Sequence, residues 1–120
     1  MIGGEAGPSV DRGTLLEGVV AFVEVRHRHE NGSRLWEKQL QAMGAQVADK
    51  LTFRCTHLVF KEGSLATYKR AKKLQLHIVS ASWVAKCKEL GQRLNESSWP
   101  CVGKDKYDSP GKIMFRNKVN

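Results

Sequence analysis

Four of the five residues at 69–73 are basic: Lys69, Arg70, Lys72 and Lys73. With Arg26 and Arg28 they are the chain's densest candidate for anion chemistry, because a phosphate is held by several cationic donors converging on one place. The same run on a helix also describes an ordinary solvated face. No aromatic residues interleave with these bases and no base-reading element accompanies them. The six therefore read as a candidate phosphate- or partner-binding surface, with weak backbone contact as the limit for nucleic acid. His27 and His29 offer two metal ligands in one loop, but no acid or cysteine stands at matching spacing, so no metal site is expected. His57 and His77 fall at strand positions and read as core or edge histidines. Cys55, Cys87 and Cys101 form no CxxC pair, which fits a reducing compartment, and Cys55 and Cys87 read as small buried apolar residues. A nucleophile elbow, a phosphate loop and paired carboxylates are all missing from the text, so neither an enzyme nor a cofactor is expected.

These side chains need a scaffold, and composition bounds it. A chain of 120 residues with an apolar fraction of 41% is expected to fold as one domain with a core of its own. No apolar run approaches the roughly 20 residues of a membrane helix, and "MIGGEAGPSVDRG" has neither the basic start nor the apolar centre of a secretory signal. The net charge of +8 is uneven: residues 1–25 hold four acids against one base, so the basic character belongs to the remainder. A basic body suits acidic partners.

Residues 1–14, rich in glycine, read as a flexible lead-in. "VVAFVEV" (19–25) is a nearly continuous β-branched and aromatic run, the pattern of a strand covered on both faces. "RHRHENGS" (26–33) is a polar loop, after which Ser33 is placed to cap a helix carrying Trp36, Leu40 and Met43 on one stripe and stopped by Gly44. "AQVADKL" and "THLVF" are the second and third strands. Ser64 caps a second helix with the apolar row Leu65, Tyr68, Ala71 and Leu74, and "LHIVS" is the fourth strand. Ser80 caps a third helix whose inward stripe is Trp83, Cys87 and Leu90, ended by Gly91. Prolines and glycines then break the text, so 102–120 reads as an extended tail and 15–101 as the domain. Strands alternating with helices give an α/β fold with a parallel sheet.

The phrases "VVAFVEV", "LQAMGAQV", "THLVF" and "HIVSASWVAKC" resemble a BRCT domain over about residues 15–101. The Gly-Ala after the first helix and the tryptophan of the last helix are its strongest marks. The resemblance implies a BRCT fold: a small four-stranded parallel sheet flanked by about three helices, with Trp36, Gly44, Thr56, Trp83 and Cys87 expected in its structural core. It implies a non-enzymatic protein-interaction module, monomeric as an isolated domain and not membrane-bound. The wording of "THLVFKEG", "IVSASWVAKC" and "NESSWP" is similar to the N-terminal BRCT domain of one longer member. That implies nuclear or centrosomal protein partners, and work in chromosome condensation, DNA-damage response and cell-cycle control in the nucleus and centrosome. The alternative is a DNA- or phosphate-binding BRCT module using the basic surface. BRCT phosphate pockets combine a Ser or Thr at the end of the first strand, a nearby backbone N–H and a lysine of the second helix. Here Val25-Arg26 stands at the strand end and only Lys69 matches, so generic phosphoserine recognition is not expected.

Overall fold

The computed structural model describes residues 12–28 and 30–108. Residues 1–11 and 109–120, which hold most of the expected lead-in and tail, lie outside the described residues, as does His29. The first strand, β1 (Val20–His27), buries Ala21, Val23 and Val25 on one face and turns Phe22 and Glu24 to the other. Both faces are covered, which explains the continuous apolar run. A short β2 (Glu30–Asn31) folds back antiparallel on the end of β1, pairing Arg26 with Asn31. The polar loop is thus a hairpin, with Arg28 at φ 53° in its turn.

Helix α1 (Ser33–Ala42) follows, then β3 (Gln46–Val47) and β4 (His57–Lys61). Helix α2 (Leu65–Lys73), β5 (His77–Val79), α3 (Ala81–Leu90) and α4 (Lys104–Asp108) complete the elements of the described residues. The parallel order is β3-β1-β4-β5, with β2 as a fifth, antiparallel strand. Two apolar clusters fill the two sides: α1 and α3 share one with Val23, Val59 and Val79, and α2 shares the other with Leu58 and Phe60.

Ser64 caps α2 as its position suggests, accepting the Thr67 N–H at 3.1 Å. Ser33 does not cap α1. It lies inside the first turn, and Asn31 Oδ1 accepts its N–H at 2.8 Å instead. Ser80 holds the cap position of α3 in extended conformation, but its hydroxyl makes no capping bond. The inward stripe of α3 ends at Cys87: Leu90 is exposed, because Gly91 at φ 66° turns the chain and Leu94 returns to pack on the core.

Trp83 is fully buried, and its indole N–H donates to the Leu94 carbonyl at 3.0 Å. Trp36 is only half-buried, at the edge of the α1–α3 cluster. Thr56 is exposed and not a core residue. Its hydroxyl instead rivets β1 to β4, accepting the Val20 N–H at 2.9 Å. The start of the expected extended tail is also different: α4 docks Tyr107 against Phe60 (4.9 Å) and Tyr68 (5.2 Å). Tyr68 donates to Asp108 at 2.6 Å and Tyr107 to the Gly63 carbonyl at 3.0 Å. A five-residue helix has no stability of its own, and these contacts are what hold it.

Candidate functional site

The chain leaves β1 and β4 towards opposite faces of the sheet, α1 on one side and α2 on the other. Parallel sheets open a crevice beyond the strand ends at such a switch point. Here it is a cleft of about 440 Å³ walled by Val25, Leu35, Trp36, Phe60, Ser80 and Val102. Leu35 and Val102 are 58% and 72% exposed, so two large apolar side chains stand open to solvent at its mouth. His27 and Lys61 are on its rim, and the first residues of α3, Ala81 and Ser82, face it beside Gly32 at the start of α1. Two helix N-termini therefore bring partial positive charge to a cleft that no carboxylate lines among the described residues. A larger hollow of about 760 Å³ at the other end of the sheet opens widely to solvent between loop residues such as Asp49 and Arg54.

The α2 side of the strand end is closed by the protein itself. Glu24, on the α2 face of β1, accepts the Ser64 N–H at 2.7 Å through Oε1 and the Thr67 hydroxyl at 3.0 Å through Oε2. A carboxylate at a helix N-terminus satisfies free N–H groups and complements the dipole. Gly63 makes this possible, since a Cβ there would run into the Glu24 carboxylate and the Phe60 ring. A hydroxyl does reach the end of β1, but from eight residues further on. Ser33 is buried, accepting the Val25 N–H at 3.0 Å and facing the Val25 carbonyl at 3.3 Å. Neither the hydroxyl nor the start of α2 is left open to an incoming phosphate.

The six basic candidates are all exposed, but the fold does not gather them. Arg26 and Arg28 lie at the carboxyl end of β1. Helix α2 runs back towards the strand starts, where Arg70 Nε donates to the Leu51 carbonyl at 3.1 Å. Lys72 faces Asp108 at 3.6 Å, while Lys69 and Lys73 stand on the exposed face of the helix.

A polar chain that spacing did not reveal crosses the sheet on the α3 side. Val20 N–H donates to Thr56 Oγ1, which meets His57 Nδ1 at 2.7 Å, and His57 Nε2 meets Glu96 Oε2 at 2.7 Å. Arg93 also donates to that oxygen, through Nη2 at 2.8 Å and Nε at 3.1 Å. His57 is fully buried against the Trp83 ring, 5.1 Å between centroids, and burial holds its pKa below the usual value, against the pull of Glu96. Burial pushes the Glu96 carboxyl up, but the bonds from His57 and Arg93 outweigh it and hold the group at about 2. Both directions agree on a neutral imidazole donating to a carboxylate. Exposed His77 completes the cluster, its ring 4.8 Å from that of His57.

A model of the twin BRCT domain family matches residues 19–83, from the start of β1 to the buried tryptophan of α3. Microcephalin of Mus musculus is 41% identical over 97 residues, which cover 79% of this chain and 12% of that protein. Microcephalin of Homo sapiens is 36% identical over 95 residues, covering 78% of this chain and 11% of that protein. The chain thus spans about an eighth of the length of these relatives. Among solved structures, the first BRCT domain of the DNA-repair protein XRCC1 superposes with a TM-score of 0.61 at 25% identity, over 76% of this chain and 69% of that one. The Rad4 BRCT1,2 structure, solved in complex with a Crb2 phosphopeptide, gives a TM-score of 0.61 at 18% identity, over 73% of this chain and 47% of that one. With its sheet order, its buried α3 tryptophan and a family match across more than half its length, this chain belongs to the BRCT family.

Proposed function

We propose that this chain is a non-enzymatic protein-interaction module that docks its partner in the strand-end cleft, with no phosphate required. The observation that carries this reading is the pairing of two facts. The cleft mouth leaves Leu35 and Val102 open, and Glu24 already occupies the anion-seeking start of α2. Apolar side chains held open beside a polar rim are what a peptide anchor needs. Likeness to microcephalin and to a domain of a DNA-repair protein supports work in DNA-damage response, chromosome condensation and cell-cycle control, with protein partners in the nucleus and at the centrosome. The basic surface as a DNA or phosphate site is the weaker reading, because Arg26 and Arg28 stand at the end of β1 while Arg70 is spent on the Leu51 carbonyl and Lys72 faces Asp108.

Titrating a labelled phosphoserine peptide library, with unphosphorylated controls, tests the phosphate half of this reading by fluorescence anisotropy. Each charge-assisted bond to phosphate contributes roughly 1.5–3 kcal/mol. With the Ser33 hydroxyl and the α2 start engaged internally, no phosphate-dependent binding tighter than about 10 μM is expected. Tighter phosphate-dependent binding that Lys69→Met abolishes would contradict the proposal.

A further inference from the structure

We propose that His57, His77 and Glu96 form a site for a divalent transition-metal ion of the Zn²⁺ class, with water completing the coordination shell. The three residues each offer one ligand atom, and these atoms lie within 4.8 Å of one another. Two imidazoles and one carboxylate are a ligand set that Zn²⁺ accepts in tetrahedral geometry, the fourth position held by water. His57 Nε2 and Glu96 Oε2 are now in direct contact at 2.7 Å. An ion bonded to both at about 2.0–2.1 Å needs them about 3.3 Å apart. That small opening falls on the short turn Glu96–Ser98, while the exposed His77 ring swings in from the other side.

The hydrogen-bond network behind His57 suits both states. Without metal, the Thr56 hydroxyl donates to Nδ1 and Nε2–H donates to Glu96. With Nε2 on the ion, the ring proton moves to Nδ1. Thr56 Oγ1 then accepts from Nδ1 and turns its own proton to the Val20 carbonyl, 3.2 Å away. A second-shell partner that fixes the ring in either tautomer is what a histidine ligand requires. Arg93 competes with the ion for Glu96, so Arg93→Gln should tighten binding. An ion held here joins β4, β5 and the turn at 96–98, fastening the segment after α3 to the sheet edge where Pro100 bridges Val79.

The test is calorimetric titration of Zn²⁺ into the full chain, with Co²⁺ absorption spectra reporting ligand type. His77 is exposed, so His77→Gln should keep the melting temperature of the metal-free protein. One ion per chain is expected, bound tighter than about 10 μM. Binding should weaken roughly tenfold or more in His77→Gln and stay unchanged in His27→Gln/His29→Gln. The Co²⁺ complex should show tetrahedral bands without a thiolate charge-transfer band. Binding weaker than 10 μM, equal binding in His77→Gln, loss in the loop double variant, or a thiolate band from a cysteine would each overturn the proposal.

Discussion

Trp83→Arg is expected to abolish cooperative folding. The Trp83 side chain is fully buried in the core cluster that Cys87 also joins, it stacks on the His57 ring, and its indole N–H pairs with the Leu94 carbonyl. The substitution removes a large apolar body and the indole bond, and puts a guanidinium into the apolar cluster between α3 and the sheet. Losing the packing costs about 3–5 kcal/mol, and an uncompensated buried charge adds several more. Total stability for a domain of this size is roughly 5–15 kcal/mol, so little or nothing remains. Trp83→Phe separates the causes: it keeps an aromatic ring and loses the indole bond, so a folded protein with a lowered melting temperature is expected. Circular dichroism melts check both. A cooperative transition for Trp83→Arg near the wild-type temperature would contradict this packing.

Gly44→Ala is expected to cost about 2–4 kcal/mol, and Gly18→Ala only about 1. Both glycines have φ +94°, a backbone conformation that an L side chain adopts only with strain. They differ in surroundings. A Cβ at Gly44 would lie 2.7 Å from the Gly13 carbonyl oxygen and 3.2 Å from Thr14 Cα, while one at Gly18 meets nothing within 4 Å. At Gly44 the backbone of the turn Arg12–Thr14 must move, and that turn leads into Leu16, whose N–H donates to the Met43 carbonyl at 2.8 Å. Chemical denaturation of the two variants side by side isolates the steric part. Equal losses would show that the turn at 12–14 does not press on Gly44.

What could be read from the sequence was local. The Trp36–Leu40–Met43 stripe, the Ser64 cap and the Gly91 stop each depend on neighbours within one or two helical turns, and the α/β order follows from their alternation. The site was legible only in outline. Glu24 reads as one acid in an apolar strand, yet its partners are Ser64 and Thr67, 40 and 43 residues away. His57 meets Glu96 across 39 residues, and Tyr107 meets Gly63 across 44. Contacts of that separation depend on strand register and on which face each helix takes, and residue spacing carries neither. Ser33 illustrates the limit. A serine before an apolar stripe suggests a cap, but the hairpin at 26–31 delivers its hydroxyl to Val25 instead. How the six basic residues are spread over the fold is hidden from the sequence for a related reason. Charge density along the chain does not say that α2 turns its bases away from the end of β1.

Phosphate-independent docking at the strand-end cleft is tested most directly by one comparative capture experiment. Wild-type chain and Leu35→Glu are immobilised, and each is offered nuclear extract with and without phosphatase treatment, with bound proteins quantified by mass spectrometry. Leu35 is 58% exposed in the first turn of α1, so a glutamate there leaves the fold intact and suits the helix N-terminus while placing a charge at the cleft mouth. The wild type is expected to capture a defined set of proteins equally before and after phosphatase, and Leu35→Glu is expected to lose them. Capture that disappears with phosphatase and persists in Leu35→Glu would contradict this docking.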